Sequence, residues 1–277
     1  MIHDTRIKFI AIVVLTLVAA FVVAPIPNKP RIPVLSEARI NLGIDLAGGA
    51  ELRYKVLFPP GFNGDRERAT KVASDVIRRR LENKLLQEPK INSHGDNEIV
   101  IQLAGVDAEG LRDYKRLIER IGNLELYAAA PRELQERYGK DGVVPDGYKI
   151  VKHGDGAPIL IPEHPVIEGR HILNAEPQQE MTQGGVRWLT SFELDAEGAK
   201  LFDEAAAQLY QQRPPGRIVI LLDGELKSAP VIQSPSFHGR GQISGAKDQK
   251  EARELSIILR SGSLPAPLGS SSDGLRK

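Results

Sequence analysis

The order of strand-like and helix-like patterns between residues 42 and 127 restricts the fold of this chain more than any other feature of its sequence. Strands are expected at residues 42–57, 90–93, 98–103 and 124–127. The third is the clearest, because Ile99, Ile101 and Leu103 alternate with polar residues, as in a half-buried strand. Two helical patterns lie between these strands. The order is therefore βαββαβ, which is the split βαβ or ferredoxin-like unit.

Both helices are predicted from apolar residues at helical spacing after an aspartate that can cap the first turn. Asp65 precedes the first helix, and Asp107 precedes the second, which Gly122 is expected to end. The first helix carries three consecutive arginines at residues 78–80. They could form an anion site, but a solvated helix face is the more common role of such a run.

The pattern is lost from residue 128 to about residue 185, where proline and glycine are frequent. This stretch is too long for a simple loop, so it predicts an inserted subdomain. Regular patterns then return as a strand at residues 188–194 and a helix capped by Asp195. The inward face of that helix is expected to hold Phe202, Ala205, Ala206 and Leu209.

Residues 218–222 form a continuous apolar run typical of a buried strand. Asp223 and Gly224 follow it and predict a type I′ hairpin turn, which needs positive φ at both central positions. Pro230 restricts the returning strand to an edge or a bulge. The glycine-rich residues 239–245, which include Gly241 and Gly245, are interpreted as a flexible hairpin end.

The last predicted helix follows Asp248 and Glu251, which have the spacing of a capping box. Gly262 supplies its C-terminal stop.

Residues 9–23 contain no charged side chain, and the uncharged run extends to residue 27 before Lys29. A helix of this length reaches roughly 25 to 28 Å, which is enough for a thin bilayer core. We therefore predict a membrane anchor over residues 1–27, with its apolar surface at Phe9, Val13, Leu17 and Phe21. A cleaved signal peptide is the alternative, although its apolar part is usually shorter. The proline-containing residues 28–38 are expected to be a linker.

Composition excludes several classes of function. With 37 basic and 36 acidic residues, the chain has no charge excess for binding phosphate polymers, so a nucleic-acid partner is not expected. The absence of cysteine removes thiolate metal sites and cysteine nucleophiles. The 6 histidines lack metal-ligand spacing, and no nucleophile elbow or phosphate-binding loop is found. We therefore expect no catalytic residue, no metal and no cofactor.

Residues 41–52, with the sequence NLGIDLAGGAEL, place an aspartate and two adjacent glycines within an apolar strand. Glycine weakens a strand interior, so this pair predicts a bulge or a close backbone approach. The segment resembles the L-G-x-D-L-x-G-G signature of the SecD family, accessory subunits of the bacterial protein-export machinery. The matching residues are Gly43, Asp45, Gly48 and Gly49, whereas Ala47 stands where the family usually has arginine.

Further segments resemble the same family in the same order, at residues 77–80, 95–106, 218–232, 241–245 and 259–268. They include the motif positions Asp223, Gly224, Pro230, Gly241 and Gly245. The resemblance implies an α+β fold, in which a ferredoxin-like base carries an inserted α+β head subdomain after one transmembrane helix. It places the base at residues 39–127, the head at 128–246, the return to the base at 247–268 and a polar tail at 269–277.

The resemblance also implies a function. It predicts a non-catalytic subunit in the bacterial inner membrane, with most of the chain periplasmic, which contacts unfolded secretory polypeptide late in translocation. The implied partners are a SecF-like subunit, the SecYEG translocon and membrane lipid. Contact with the translocating chain is expected at Ile159, Ile161, Ile172 and Val231, although core packing is the alternative for each.

Two other functional classes remain open from the sequence. The first is a membrane-anchored periplasmic module that binds a small ligand or an envelope component. The second is an enzyme, which would need a buried polar cluster that the sequence does not reveal.

Overall fold

The computed structural model describes residues 8–10, 12–16, 49–84, 89–152, 156–182 and 185–276, with the backbone alone for residues 271–276. The chain divides into two units, Met1–Asn41 and Leu42–Lys277. In the first unit, residues 8–10 and 12–16 are helical, and the side chains of Phe9 and Val13 are exposed.

Most of the predicted membrane anchor lies outside the described residues. This includes Leu17 and Phe21, and the linker at residues 28–38 lies outside as well. In the part of the chain that the structure describes, no helix is long and apolar enough to cross a membrane. The motif residues Gly43, Asp45 and Gly48 also fall outside the described ranges.

The second unit is an α/β structure built from several sheets. Its elements in chain order are β1 (Gly49–Val56), α1 (Arg66–Glu82), β2 (Lys90–His94), β3 (Glu98–Ala104), α2 (Ala108–Glu119), β4 (Leu124–Ala128), α3 (Arg132–Asp141), β5 (Tyr148–Val151), β6 (Ile159–Pro162), β7 (Ile167–Glu168), a 3-10 turn (Gly169–His171), β8 (Ile172–Thr182), β9 (Gly185–Leu194), α4 (Ala196–Gln211), β10 (Ile218–Leu222), β11 (Glu225–Ser228), β12 (Arg240–Ala246), α5 (Gln249–Ser261) and β13 (Leu268–Arg276).

The first sheet has the strand order β13-β1-β3-β2, and its neighbouring strands are antiparallel. Its core joins the inward residues of β1, such as Leu52 and Tyr54, to Ile77 of α1 and Ile118 of α2. Burying these side chains stabilises the layer in proportion to the apolar area removed from water. Gly49 of the motif lies so close to β3 that a side chain there would overlap the carbonyl of Leu103, which fits the predicted close backbone approach.

The fourth strand of this sheet differs from the prediction. We expected residues 124–127 in that place, but β4 pairs with β10 in another sheet, and β13 takes the edge beside β1. The segment expected to be a polar tail is therefore a strand, with Gly49 paired to Arg276 and Val56 to Leu268. Strand pairing satisfies backbone groups whatever the side chains, so a serine- and glycine-rich segment can pair without any apolar alternation.

The second sheet has the order β11-β10-β4-β7 and is covered on both faces. All five residues of β10 are buried, as predicted for this strand. Ile218, Ile220 and Leu222 join one apolar cluster, while Val219 and Leu221 join another that contains Ile161 of β6.

The hairpin that follows β10 is also confirmed. Asp223 and Gly224 have φ values of 54° and 79°, as a type I′ turn requires. The returning strand β11 forms the edge of the second sheet and ends at Ser228, before Pro230.

The third sheet has the order β12-β9-β8, and β5 and β6 form a separate hairpin. Here the interpretation of residues 239–245 as a flexible hairpin end is wrong, because residues 240–246 form the regular strand β12 beside β9. Gly241 is needed in that strand, since a side chain at this position would overlap the ring of Phe192. Gly241 therefore reflects close packing rather than flexibility, whereas Gly245 supplies a φ of 103° that L-residues rarely adopt.

The four predicted aspartate caps are confirmed. The carboxylates of Asp65, Asp107, Asp195 and Asp248 accept hydrogen bonds from backbone N–H groups three residues later, over 2.7 to 3.0 Å. Each bond satisfies a donor that the first helical turn leaves unpaired. The predicted inward face of α4 is buried as well.

The arginine run at residues 78–80 is only partly on a solvated face. Arg80 is 0% exposed, and its guanidinium donates to the carbonyl oxygens of Leu117, Arg120, Ile121 and Gly262 and to the hydroxyl of Ser261. The distances to the Leu117, Ile121 and Gly262 oxygens are 2.9, 2.9 and 3.0 Å. Arg80 thereby links α1 to the C-terminal ends of α2 and α5.

We predict that Arg80→Met lowers the free energy of unfolding by about 3 kcal/mol, because methionine fills the site but leaves several buried carbonyls unpaired. Urea unfolding followed by the fluorescence of Trp188, the single tryptophan, measures this change. Arg79→Met is the matched control, since Arg79 is exposed and, among the described residues, its guanidinium donates only to the Ser261 carbonyl, at 3.2 and 2.9 Å. It should cost less than about 1 kcal/mol. Equal losses in both variants would contradict the role assigned to Arg80.

Candidate functional site

A groove of about 950 Å³ lies between the third sheet and the end of the second, and we call it the β12 groove. One wall is formed by residues of β8, β9 and β12. The other is formed by Ile218 and Ile220 of β10 and by the 230–237 segment, whose lining residues are Pro230, Val231, Ile232, Gln233 and Phe237.

The strand wall carries a row of polar side chains that the sheet register places side by side. Glu193 of β9 lies between Arg240 of β12 and Asn174 of β8, and Ser191 lies between Gln242 and Glu176. Because alternate residues of a strand share a face, this register groups the polar side chains on one surface.

Most of the charges in this wall are paired with one another. Arg240 lies 3.1 Å from Glu193, and Arg187 lies 3.8 Å from Glu180. The Asn174 amide donates to Glu176 at 3.2 Å. The wall therefore offers hydrogen-bonding groups of both kinds without a strong charge of one sign.

Apart from Gln233, the opposite wall is apolar. Phe192, Ile218, Ile220 and Ile232 are buried members of one cluster, and Phe202 and Phe237 add a ring pair with centroids 5.7 Å apart. Val231 stands at the surface of this lining and is 41% exposed. The groove thus combines a polar wall with an apolar surface, as polypeptide-binding sites commonly do.

The 230–237 segment is fixed by backbone and side-chain hydrogen bonds. Ile218 N–H donates to Pro230 O at 3.1 Å, and Ile232 N–H donates to Gly216 O at 2.9 Å. The Asp203 carboxylate of α4 accepts from Phe237 N–H at 2.8 Å and from the Ser236 hydroxyl at 2.6 Å. Burial acts to raise the pKa of Asp203, but these hydrogen bonds outweigh it and the pKa lies below its usual value.

The structure does not bring the four predicted contact residues together. Val231 lines the groove, and Ile172 is half-buried against the cluster that forms its apolar side. Ile159 and Ile161 belong instead to the cluster on the opposite face of the second sheet. Ile161 has no exposed surface, so its prediction as a contact residue is corrected to core packing. Ile159 is only half-buried there.

Sequence reasoning missed the polar wall of the groove. The sequence predicts a strand at residues 188–194, but which partners lie beside its polar residues depends on the register with β8 and β12. One residue in the sequence did point to this packing. Gly241 lies opposite Phe192, and only a glycine leaves room for that ring.

Outside the groove, His171 and Asp195 form a titratable pair that has a structural role. The buried His171 ring lies 3.1 Å from Asp195 through Nδ1, while Asp195 also caps α4. The Gly198 N–H bond, opposed by desolvation and aided by His171, holds the pKa of Asp195 below its usual value. Among the described residues there is no group of three His, Cys, Asp or Glu side chains placed to hold a metal.

Two family models match this chain. The model described as "SecDF, P1 head subdomain" matches residues 147–266, which include the β12 groove. The model described as "Protein translocase subunit SecDF, P1 domain, N-terminal" matches residues 70–130.

Curated relatives with the name "Protein translocase subunit SecD" align with most of the chain. The relative from Acetobacter pasteurianus is 31% identical over 197 residues, which cover 70% of this chain and 35% of the relative. The relative from Magnetococcus marinus is 31% identical over 216 residues, covering 73% and 38%. The relative from Petrotoga mobilis is 28% identical over 263 residues, covering 83% and 51%. The chain therefore spans between about a third and a half of the length of these relatives.

Two solved structures share the fold. The structure described as "Crystal structure of SecDF in Super-membrane-facing form" has a TM-score of 0.63 and 24% identity, covering 98% of this chain and 35% of that chain. The structure described as "Structure and function of a membrane component SecDF that enhances protein export" has a TM-score of 0.58 and 24% identity, covering 80% of this chain and 98% of that chain.

We predict that Gly241→Ala lowers the free energy of unfolding by about 1–3 kcal/mol, because the added methyl group must displace the Phe192 ring. Thermal or urea unfolding measures the loss. Gly139→Ala is the control, since a Cβ there meets no atom within 4 Å and lies in α3, where alanine is favoured over glycine. Combining Gly241→Ala with Phe192→Leu should recover part of the loss. A neutral Gly241→Ala would show that the groove wall is loosely packed.

Proposed function

Because this chain belongs to the SecD family of protein translocase subunits, we propose that it acts in Sec-dependent protein export by holding unfolded polypeptide outside the cytoplasm. In this proposal the chain is a non-catalytic subunit, and it assists the late part of translocation. The β12 groove is the contact site.

The observation that carries the proposal is the composition of the β12 groove. An export factor meets many different sequences, so its contact site cannot depend on one side chain or one sign of charge. Both arginines of the groove are paired with glutamates, at 3.1 and 3.8 Å, which leaves only Glu176 without a basic partner among the lining residues. Beside them, Val231 and Phe237 offer apolar surface to the apolar residues that an unfolded chain exposes.

We further propose a division of the second unit into a base and a head. The antiparallel order β13-β1-β3-β2, with α1 and α2, supports a ferredoxin-like base in which β13 is the fourth strand. The head then begins at β4 rather than after residue 127, since β4 pairs with β10. The return to the base includes α5 and extends through β13.

We assign the anchor to residues 1–27, where the sequence holds the uncharged run from residue 9 to residue 27. The second unit would then lie on the periplasmic side of the inner membrane, where an emerging chain can reach the groove. A SecF-like subunit and the SecYEG translocon are the proposed partners. The fold shared with SecDF supports this assignment, since SecDF is described as a membrane component that enhances protein export.

Site-specific photo-crosslinking tests the contact. A photoreactive amino acid is placed at Val231 in one variant and at Val72 in another, in membranes that carry a stalled secretory chain. Val72 is the matched control because it is a valine of similar exposure, 44% against 41%, on the base helix α1.

We expect adducts with the stalled chain from position 231 and few from position 72. Adducts from position 72 alone, or equal yields from both positions, would contradict a head-based contact.

A further inference from the structure

Resting on the proposed function, we propose that the β12 groove binds an extended polypeptide segment as an additional β-strand along the free edge of β12. Recognition would then be made through the backbone of the bound segment. The ligand class is any unfolded polypeptide that can adopt a strand of a few residues.

The register of the third sheet fixes which backbone groups of β12 point away from β9. Leu194 N–H donates to Gly239 O at 2.8 Å, so the Gly239 and Leu194 pair is hydrogen-bonded. Hydrogen-bonded pairs recur at every second position of an antiparallel ladder. The next ones along β12 are therefore Gly241 with Phe192 and Ile243 with Thr190.

The residues between these pairs direct their N–H and C=O groups away from β9. They are Gln242 and Ser244, and both line the groove. Their side chains belong to the polar wall of the groove. These two residues present two donors and two acceptors to a strand laid beside them.

The free edge is short and has defined ends. β12 is the outermost strand of its sheet, and in the described ranges no backbone hydrogen bond joins Gln242 or Ser244 to a third strand. At one end, Arg240 N–H is already bound to Phe237 O at 3.0 Å. At the other end, the register shifts between Ser244 and Ala246, and Gly245 has a φ of 103°. The edge can pair with about four residues of a ligand, since paired positions repeat every second residue.

The walls on either side of this edge suit a strand. Successive side chains of a strand point to opposite faces, so one set of ligand side chains would lie on the same face as the polar side chains of Gln242 and Ser244. The other set would meet the apolar surface of Val231 and Phe237, since Ile232 is buried beneath them. Backbone pairing supplies affinity that every sequence can provide, and the paired charges of the wall do not select the charge of the ligand.

The first test compares two peptides binding to the purified full chain. One is a labelled, unstructured peptide of about twelve residues rich in serine, threonine and valine. The other has the same sequence with N-methyl groups on two consecutive central residues, which blocks both edges of an added strand and leaves the side chains unchanged. Fluorescence anisotropy should show at least about a tenfold loss of affinity for the methylated peptide.

The second test removes the donor from the protein instead. Gln242→Pro deletes the outward N–H, and proline is tolerated on an edge strand when its nitrogen faces away from the ladder. Gln242→Ala is the matched control, because it removes the same side chain and keeps the N–H. We expect Gln242→Pro to bind the unmethylated peptide several-fold more weakly than Gln242→Ala, with both variants retaining the circular dichroism spectrum of the parent chain.

The outcomes separate this inference from the proposed function. If the two peptides bind with equal affinity, strand addition is overturned while polypeptide binding by the chain stands. If neither peptide binds and crosslinking at Val231 also fails, the proposed function itself is overturned. If Gln242→Pro does not fold, the comparison of the two peptides on the parent chain still tests strand addition.

Discussion

The buried guanidinium of Arg80 is the interaction on which the arrangement of the second unit most depends. Its five acceptors are neutral oxygens, four carbonyls and one hydroxyl, at the ends of α2 and α5. Helix C-termini carry partial negative charge from unpaired carbonyls, so two helix ends together can stabilise a buried cation. Burial lowers the pKa of Arg80 to about 10, opposed by Asp223, and the group stays protonated at neutral pH. The charge therefore holds three helices together without a carboxylate among its hydrogen-bond partners.

The Arg80 network lies at the chain segments that connect the first sheet to the second, and it holds these segments in place. The carbonyls that Arg80 binds lie where α2 ends and the chain passes toward β4, and where α5 ends before β13. Gly122 is part of the same junction, because a Cβ there would lie 2.6 Å from Ile258 and 2.8 Å from the Arg80 guanidinium. One side chain and one glycine thus pack where the chain leaves the proposed base for the proposed head, and against the end of α5 within the proposed base.

Local features of the fold could be predicted from the sequence, and the features that depend on distant pairing could not. The aspartate caps and the buried strand β10 follow from residues within a few positions of one another, so their signals are contained in short segments. The edge strands β12 and β13 gain their stability from partners far along the chain, and their glycine and serine residues resemble turns. In the groove, Val231 could be named from sequence, whereas the polar wall required the register of three strands. The burial of Arg80 was hidden because its five acceptors lie between 37 and 182 residues away.

The pairing of β1 with β13 has a mechanical consequence. Gly49, the first residue of β1, lies opposite Arg276, the last residue of β13. A force that separates these two residues would act perpendicular to the strands. It would break the hydrogen bonds of the ladder one pair at a time, which is the unzipping geometry. Strands pulled lengthwise past one another would instead share the load among all their bonds. Under tension the first sheet would thus open stepwise from this corner, while a load applied along its strands is shared by the whole ladder.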